Sequence, residues 1–397
     1  MTTPDFAGGP TIPVPALYAT GQKVSAPVLR GTVSDAVALL TTPPVFQGTQ
    51  TQVSGGQDFL SGTAALVIID TELYDNWNGH LVTTANSNYY GMLAGWYLVQ
   101  SQPAIIMSGG TINSTTITQA LTGLSVAGGS VTPYGGPALP NAAGQYGQPQ
   151  AAAKLMKMVN VGARLGAGND YVQGLAFQNT GATQYMAQVA PNLATLTVRW
   201  VAAASGATGL PVPPLAAFPS PPSYVTSAFM NANVVNTVKF LIFPPIMEYY
   251  LAGTGQTLTS ISSLPATGQT ISLDTGTVDN EGGTYSSGTW TAPVSGVYYC
   301  YGQVAISCST TSLSGAAGLT ITSANYNGGA TFTYWPGNWQ ASAAAVTNCF
   351  PVRRRLRLNA GDTVSLAGSQ HDSGGSAKNL LGTGGTECRF LTVWESV

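Results

Sequence analysis

The chain has 397 residues and a formal net charge of −2, from 13 Lys and Arg against 15 Asp and Glu. That balance leaves no electrostatic footprint for nucleic acid, and no apolar run approaches the ~18 residues that a membrane span needs, so neither partner is expected. Charged residues make up 7% of the chain, against roughly 25% in an ordinary soluble domain, and the remaining Gly, Ser, Thr, Asn and Gln surface does little to keep chains apart.

Residues 1–29 carry Pro and Gly with little periodicity and read as an extended N-terminal arm of the kind that grips a neighbour. The start, MTTPDFAGGPT, has neither a basic segment nor an apolar core, so no signal peptide is expected. In residues 30–203, Val33, Val37 and Leu40 fall at i, i+4 and i+7, Ser34 and Asp35 favour a start and Pro43-Pro44 a stop, which predicts a short amphipathic helix. The runs ALVIID, GWYLVQ, YVQGLAF and TLTVRW follow; they are β-branched or aromatic and bounded by turn formers, hence strands. The segment AAAKLMKMV, Ala151 to Val159, has helical propensity but is read as strand or loop from its place before a strand-and-turn unit.

Residues 204–231 hold Pro211, Pro213, Pro214, Pro219, Pro221 and Pro222 among Ala, Ser and Gly, a semi-rigid linker. Residues 232–397 then repeat the first unit. Val234, Val238, Leu241 and Pro244-Pro245 reproduce the helix, and YYCYGQVAI, TVSLAG and RFLTVW the strands. Many short strands with frequent turn signals indicate an all-β protein built from sandwiches or barrels.

The repeat reaches individual residues. IIDTELYDNWNGH around Asp70 matches SLDTGTVDNEGGT around Asp274, pairing Asp70, Thr71, Asp75, Asn76, Gly79, Gly95 and Tyr97 with Asp274, Thr275, Asp279, Asn280, Gly283, Gly296 and Tyr298. Further on, Arg164-Leu165 matches Arg357-Leu358, and Leu196-Thr197-Val198 matches Leu391-Thr392-Val393. On the strand Tyr298-Tyr299-Cys300-Tyr301, alternation puts Tyr298 and Cys300 on one face and Tyr299 and Tyr301 on the other. One face serves a sandwich core and the other a subunit contact. Arg353, Arg355 and Arg357 likewise share one side of a strand whose other side carries Arg354, Leu356 and Leu358, a solvated or subunit-facing edge. All four cysteines, Cys300, Cys308, Cys349 and Cys388, lie in the second unit without CxxC spacing, which argues against zinc; buried thiols or disulfides remain the two readings.

In the second unit, Gly288-Thr289-Trp290-Thr291-Ala292-Pro293, then Gly296-Val297-Tyr298-Tyr299, then Arg357-Leu358-Asn359-Ala360-Gly361-Asp362-Thr363-Val364 resemble the complement 1q/tumour-necrosis-factor-like jelly roll. The first unit follows more loosely, with Gly95-Trp96-Tyr97 but Gly91-Met92-Leu93 in place of Thr-Ala-Pro. The tandem arrangement, with Ser34-Asp35-Ala36-Val37-Ala38-Leu39-Leu40 running into Pro43-Pro44, resembles minor tail proteins of phages that infect actinobacteria. The resemblance implies two tandem jelly-roll β-sandwiches, each behind a short helix, assembled as a homotrimer. It also implies a place on the virion among other virion proteins, after synthesis in the host cytoplasm.

His80 and His371 are the only histidines. No GxSxG elbow or paired-histidine spacing accompanies them, so both read as surface-loop residues and the protein as non-enzymatic. Asp70, Asp75, Asp274 and Asp279 have two readings: Asx turns closed by a following glycine, or oxygen ligands for Ca²⁺. No other cofactor is expected. Tyr326, Tyr334, Trp335 and Trp339 lie among Asn and Gly, the side-chain set that stacks on sugar rings and bonds their hydroxyls. They are the candidate site for a host cell-envelope glycan; the alternative is a purely structural assembly or decoration protein without a receptor.

Overall fold

The structure, a computed structural model, describes residues 16–20, 22, 33–51, 57–62, 65–82, 87–106, 117–125, 132–134, 138–140, 153–155, 159–166, 170–178, 181–186, 193–203, 227–253, 256–261, 268–280, 283–307, 313–335, 340–342, 347–372, 374–382 and 388–396. The strands fall into two sandwiches of antiparallel sheets. The first contains β1 (Val45–Thr49), β2 (Thr71–Asp75), β3 (His80–Val82), β4 (Ser87–Tyr90), β5 (Gly95–Gln102), β6 (Ile117–Ser125), β7 (Thr132–Tyr134), β8 (Val159–Leu165), β9 (Tyr171–Gln178) and β10 (Thr195–Ala203). The second contains β11 (Ile246–Tyr250), β12 (Thr275–Asp279), β13 (Thr284–Ser286), β14 (Thr289–Thr291), β15 (Gly296–Ser307), β16 (Leu313–Thr322), β17 (Phe332–Tyr334), β18 (Thr347–Leu358), β19 (Thr363–Asp372) and β20 (Arg389–Ser396).

The sheet orders coincide. One five-stranded sheet runs β8-β5-β10-β1-β2 and its counterpart β18-β15-β20-β11-β12. The facing sheets run β7-β6-β9-β4-β3 and β17-β16-β19-β14-β13. Both are the jelly-roll order, so the duplication read from the sequence is a duplication of topology. Small differences sit at the periphery: among the described residues, a four-stranded sheet lies beside the first sandwich and the pair Thr257–Leu258 with Lys378–Asn379 beside the second.

Register corrects one sequence match. Val198 lies opposite Phe46, and Thr392, not Val393, lies opposite the equivalent Met247. Matching Leu196-Thr197-Val198 to Leu391-Thr392-Val393 is therefore out of phase by one position. A one-residue slip exchanges the two faces of a strand: Leu196 and Phe390 enter the cores, whereas Leu391 and Val393 face outward. The true landmark is the tryptophan, since Trp200 pairs with Tyr97 and Trp394 with Tyr298, followed in both strands by the same bulge.

Helix α1 (Asp35–Thr41) precedes the first sandwich; α2 (Ser227–Met230), a π-helical turn (Asn231–Val235) and α3 (Asn236–Ile242) precede the second. Residues 227–231, read as the end of the linker, are thus helical: they lack Pro and Gly, and Asn231 is held by Tyr18, whose N–H donates to Asn231 Oδ1 at 2.6 Å while Asn231 Nδ2 donates to Tyr18 O at 2.9 Å. This described part of the N-terminal arm grips its own chain. The rest of the linker and of the arm lies outside the described residues.

Each helix closes the same way: the N–H of Thr42 donates to Ala38 O and that of Phe243 to Lys239 O. The following Pro-Pro pair cannot donate but accepts, from Trp200 N to Pro44 O at 2.9 Å and from Trp394 N to Pro245 O at 3.0 Å. That bond ties the helix exit to the last strand of its sandwich. The expected stripe is not the buried face of α1, because Ala36 and Leu39 enter the core while Val37 is 40% exposed.

The two cores are separate, one around Phe46, Tyr89, Tyr97 and Trp200, the other around Trp290, Tyr298, Phe390 and Trp394. Between them, Trp96 and Ala202 of the first sandwich pack on Ile246, Tyr301, Leu391 and Val393 of the second. Tyr298 and Cys300 point inward and Tyr301 outward with Tyr299, as alternation requires. The outward face meets the chain's own first sandwich. Cys300 and Cys388 are buried thiols outside any disulfide, and burial pushes the Cys300 thiol well above its ordinary range; Cys308 and the Cys349 side chain lie outside the described residues.

Candidate functional site

The mouth of the second sandwich is built where the edge strands β17 and β18 approach from opposite sheets. In β17, Tyr334 pairs with Leu319 of β16, and Leu319 is a core residue, so Tyr334 points between the sheets. There Arg354 of β18 lies over its ring, 4.1 Å from the centroid, and 6.0 Å from that of Tyr326. The cation–π contact explains how Arg354 shares the inward side with Leu356 and Leu358. Tyr326 belongs to the loop after β16 and covers the β18 edge: Arg357 N donates to its hydroxyl at 2.7 Å, and Asn325 Nδ2 donates to Arg357 O at 3.0 Å. Both backbone groups of an edge residue are thereby satisfied inside the chain, which blunts that edge.

Trp335 follows Tyr334 and lies on the opposite, outer face of the seven-stranded sheet. Its indole rests on bare backbone: a Cβ at Gly268 would stand 2.6 Å from the ring and one at Gly318 2.8 Å. Only glycine permits so close an approach. The structure therefore joins Tyr326 and Tyr334 through Arg354, separates Trp335 from them, and leaves Trp339 outside the described residues. The outer arginines are solvated as expected, except that Arg355 binds Glu395 in bidentate fashion at 2.6 and 3.2 Å, which holds its guanidinium pKa above the ordinary value.

The aspartates act as braces. Asp70 Oδ1 accepts from Thr51 N at 2.7 Å and from Thr71 Oγ1 at 3.1 Å; Asp274 Oδ1 accepts from Ala252 N at 2.7 Å and from Thr275 Oγ1 at 3.2 Å. The same bonds at equivalent positions tie the exit of β1 or β11 to the entry of β2 or β12. The bond from Ala252 N holds the Asp274 carboxyl below the usual carboxylate range. Asp75 closes an Asx turn, accepting from Trp77 N at 3.1 Å and His80 N at 2.9 Å; the Asp279 side chain lies outside the described residues. The pairs sit in different sandwiches, and among the described residues no three His, Cys, Asp or Glu side chains converge as a metal would require.

Neither histidine is a surface-loop residue. His371 lies in β19, its Nδ1 2.6 Å from Ile261 O. His80 begins β3 with a fully buried side chain stacked on Phe46, ring centroids 4.3 Å apart. Its Nδ1 lies 3.0 Å from Glu72 Oε1 and its Nε2 3.2 Å from Ser87 Oγ, which is the connectivity of a nucleophile triad. Ser87 is 0% exposed and its Oγ is spent on Ile69, accepting from Ile69 N at 2.9 Å and donating to Ile69 O at 3.2 Å. That enclosed oxygen ties β3 and β4 to the segment before β2. Sequence reading also misses two buried ion pairs of the second sandwich, Glu248 with Arg389 at 2.9 Å and Asp372 with Lys378 at 3.3 Å; the first partners are far apart in sequence, and the second sit on the strand ends either side of a short connection.

No family model and no curated protein matches the chain. Among solved structures, it is similar to the globular domain of zebrafish complement 1qA protein, at 16% identity and a TM-score of 0.25, covering 38% of this chain and 96% of that one. It is similar also to Eiger TNF from S. frugiperda, at 16% identity and a TM-score of 0.26, covering 39% of this chain and 95% of that one.

Proposed function

We propose that the chain is a non-enzymatic virion protein of a phage, a trimeric minor tail or tail-tip component that contributes to recognition of a host cell-surface glycan. The observation that carries the glycan reading is Trp335, a half-buried indole packed closely over Gly268 and Gly318 on an outer sheet face. A flat aromatic ring held in that way is pre-organised to stack on a pyranose, with little ordering cost on binding. Trimeric display multiplies weak single contacts into useful avidity.

Labelled protein is expected to bind phage-susceptible actinobacterial cells saturably and to compete with phage adsorption, and Trp335→Ala is expected to lose at least tenfold of that affinity. Tyr334→Ala, whose ring is engaged by Arg354, should affect stability more than binding. A folded trimer that ignores every susceptible cell would refute receptor binding. The alternative, a structural assembly or decoration protein, draws on the sheet face buried between the two sandwiches; its mark is presence in purified particles without cell binding.

A further inference from the structure

Two connections at one end of the second sandwich enclose a cleft of about 400 Å³: residues 293–296, which lead into β15, and residues 357–360, which leave β18. That volume lies within the roughly 300–1,000 Å³ of small-molecule sites. Pro293 and Val294 form an apolar wall, and Arg357, Asn359 and Ser295 supply polar side chains. Among the described residues, neither the Arg357 guanidinium nor the Asn359 side-chain amide has a partner. Ser295 Oγ accepts from Ala360 N at 3.0 Å, which leaves its own hydrogen to donate.

The bonds that fix the cleft use none of these donors. Arg357 N donates to Tyr326 OH at 2.7 Å and Arg357 O accepts from Asn325 Nδ2 at 3.0 Å, while Asn359 N donates to Asp362 Oδ2 at 2.7 Å. Asp362 does not line the cleft, and its Oδ2 also accepts from Ser323 Oγ at 2.5 Å. The backbone is held while the donors stay available, which lowers the ordering cost of binding. The adjoining outer face is cationic. Arg353 and Arg355 precede Arg357 at alternate positions of β18, and among the described residues the only acid bound to these three is Glu395, through Arg355. Such a face draws in anions.

The first sandwich has the same frame without the same donors. Tyr97 OH donates to Leu93 O as Tyr298 OH donates to Val294 O, and Gly166 N donates to Asp170 Oδ2 as Asn359 N donates to Asp362 Oδ2. Ala94 and Gly166 therefore stand where the second sandwich has Ser295 and Asn359. The fold is built without either side chain in the first copy, so their presence in the second is not a requirement of the turn.

We infer that this cleft binds an acidic sugar, a hexuronate. Arg357 takes the carboxylate through a charge-assisted bond, Asn359 and Ser295 bond ring hydroxyls, and Pro293 and Val294 meet the C–H face of the ring. Trp335 does not line the cleft, so the site is separate from the one in the proposed function and does not rest on it.

Isothermal titration of the full chain with D-glucuronate tests the assignment, with glucose and inorganic phosphate as comparison ligands. Saturable binding of glucuronate that weakens with added salt is expected, with no binding of glucose and weaker binding of phosphate. Arg357→Gln should lose about tenfold or more in affinity, and Asn359→Gly, which installs the residue of the first sandwich, about twofold to tenfold. Trp335→Ala should leave glucuronate binding unchanged. Both cleft residues are exposed, so both variants are expected to fold, which circular dichroism checks. Failure to saturate with glucuronate, equal affinity for glucose or phosphate, or undiminished affinity in a folded Arg357→Gln or Asn359→Gly chain would overturn the inference. Since Trp335→Ala probes one site and Arg357→Gln the other, either reading can fail while the other stands.

Discussion

Removing one hydroxyl from each sandwich separates what equivalent tyrosines do in unequal surroundings. Tyr97 OH donates to Leu93 O at 2.8 Å and accepts from Leu93 N at 3.0 Å, with both residues 0% exposed. Tyr298 OH donates to Val294 O at 2.8 Å, and Val294 is half-buried. Tyr97→Phe leaves a buried N–H and a buried C=O without their partner, each costing roughly 1–3 kcal/mol, so the expected loss is about 2–6 kcal/mol. Tyr298→Phe leaves one carbonyl near solvent and should cost about 1 kcal/mol. Urea unfolding followed by circular dichroism reads both losses, provided the slope against denaturant is unchanged. Equal losses, or a larger one for Tyr298→Phe, would refute the argument that burial of the partner sets the cost.

Alkaline titration should show tyrosines that resist ionisation: burial pushes Tyr285 up to about 12 and raises Tyr89, Tyr97, Tyr298 and Tyr299 as well. Below the unfolded value near ~10 their contribution is complete; above it the unfolded chain sheds protons that the folded chain keeps, so stability falls as pH rises towards the folded values. Tyrosinate absorbance reaching its full amplitude near pH ~10 in a still-folded protein would contradict this. Gly95→Ala should destabilise by roughly 1–3 kcal/mol or more through overpacking, because its Cβ would lie 2.3 Å from Ala202 O and 2.4 Å from Trp200 Nε1; an unchanged melting temperature would count against that register. Lys378→Met should cost roughly 3–5 kcal/mol by stranding the Asp372 carboxylate, measured by the same urea unfolding, and a neutral outcome would mean that water reaches the pair.

Much of the fold was legible because duplication makes the chain its own comparison. Matching aspartates, Gly95 with Gly296 and Tyr97 with Tyr298, marked two units before any strand was placed, and the Pro-Pro exits marked both helices. Phase was harder. Leu-Thr-Val occurs in both last strands, yet the strands are offset by one position, and only the hydrogen-bonded partners, Phe46 for Val198 and Met247 for Thr392, show it. The site was half legible: the aromatic cluster was visible as composition, but alternation along β17 puts Tyr334 and Trp335 on opposite faces, and the glycine floor under Trp335 comes from Gly268 and Gly318, distant in sequence.

The sequence by itself determined what depends on neighbouring residues: strand and turn periodicity, the helix stops at proline, the repeat, and the scarcity of charge. The tertiary structure alone decided what depends on partners brought from afar. An outward apolar face such as Tyr299 and Tyr301 reads the same whether it meets a subunit or the chain's own first half, and here Trp96 meets it. His80 reads as a loop residue until Glu72, Ser87 and Phe46 enclose it. Burial and pairing are properties of the assembled surface, and a local pattern specifies which face a side chain takes but not what will cover it.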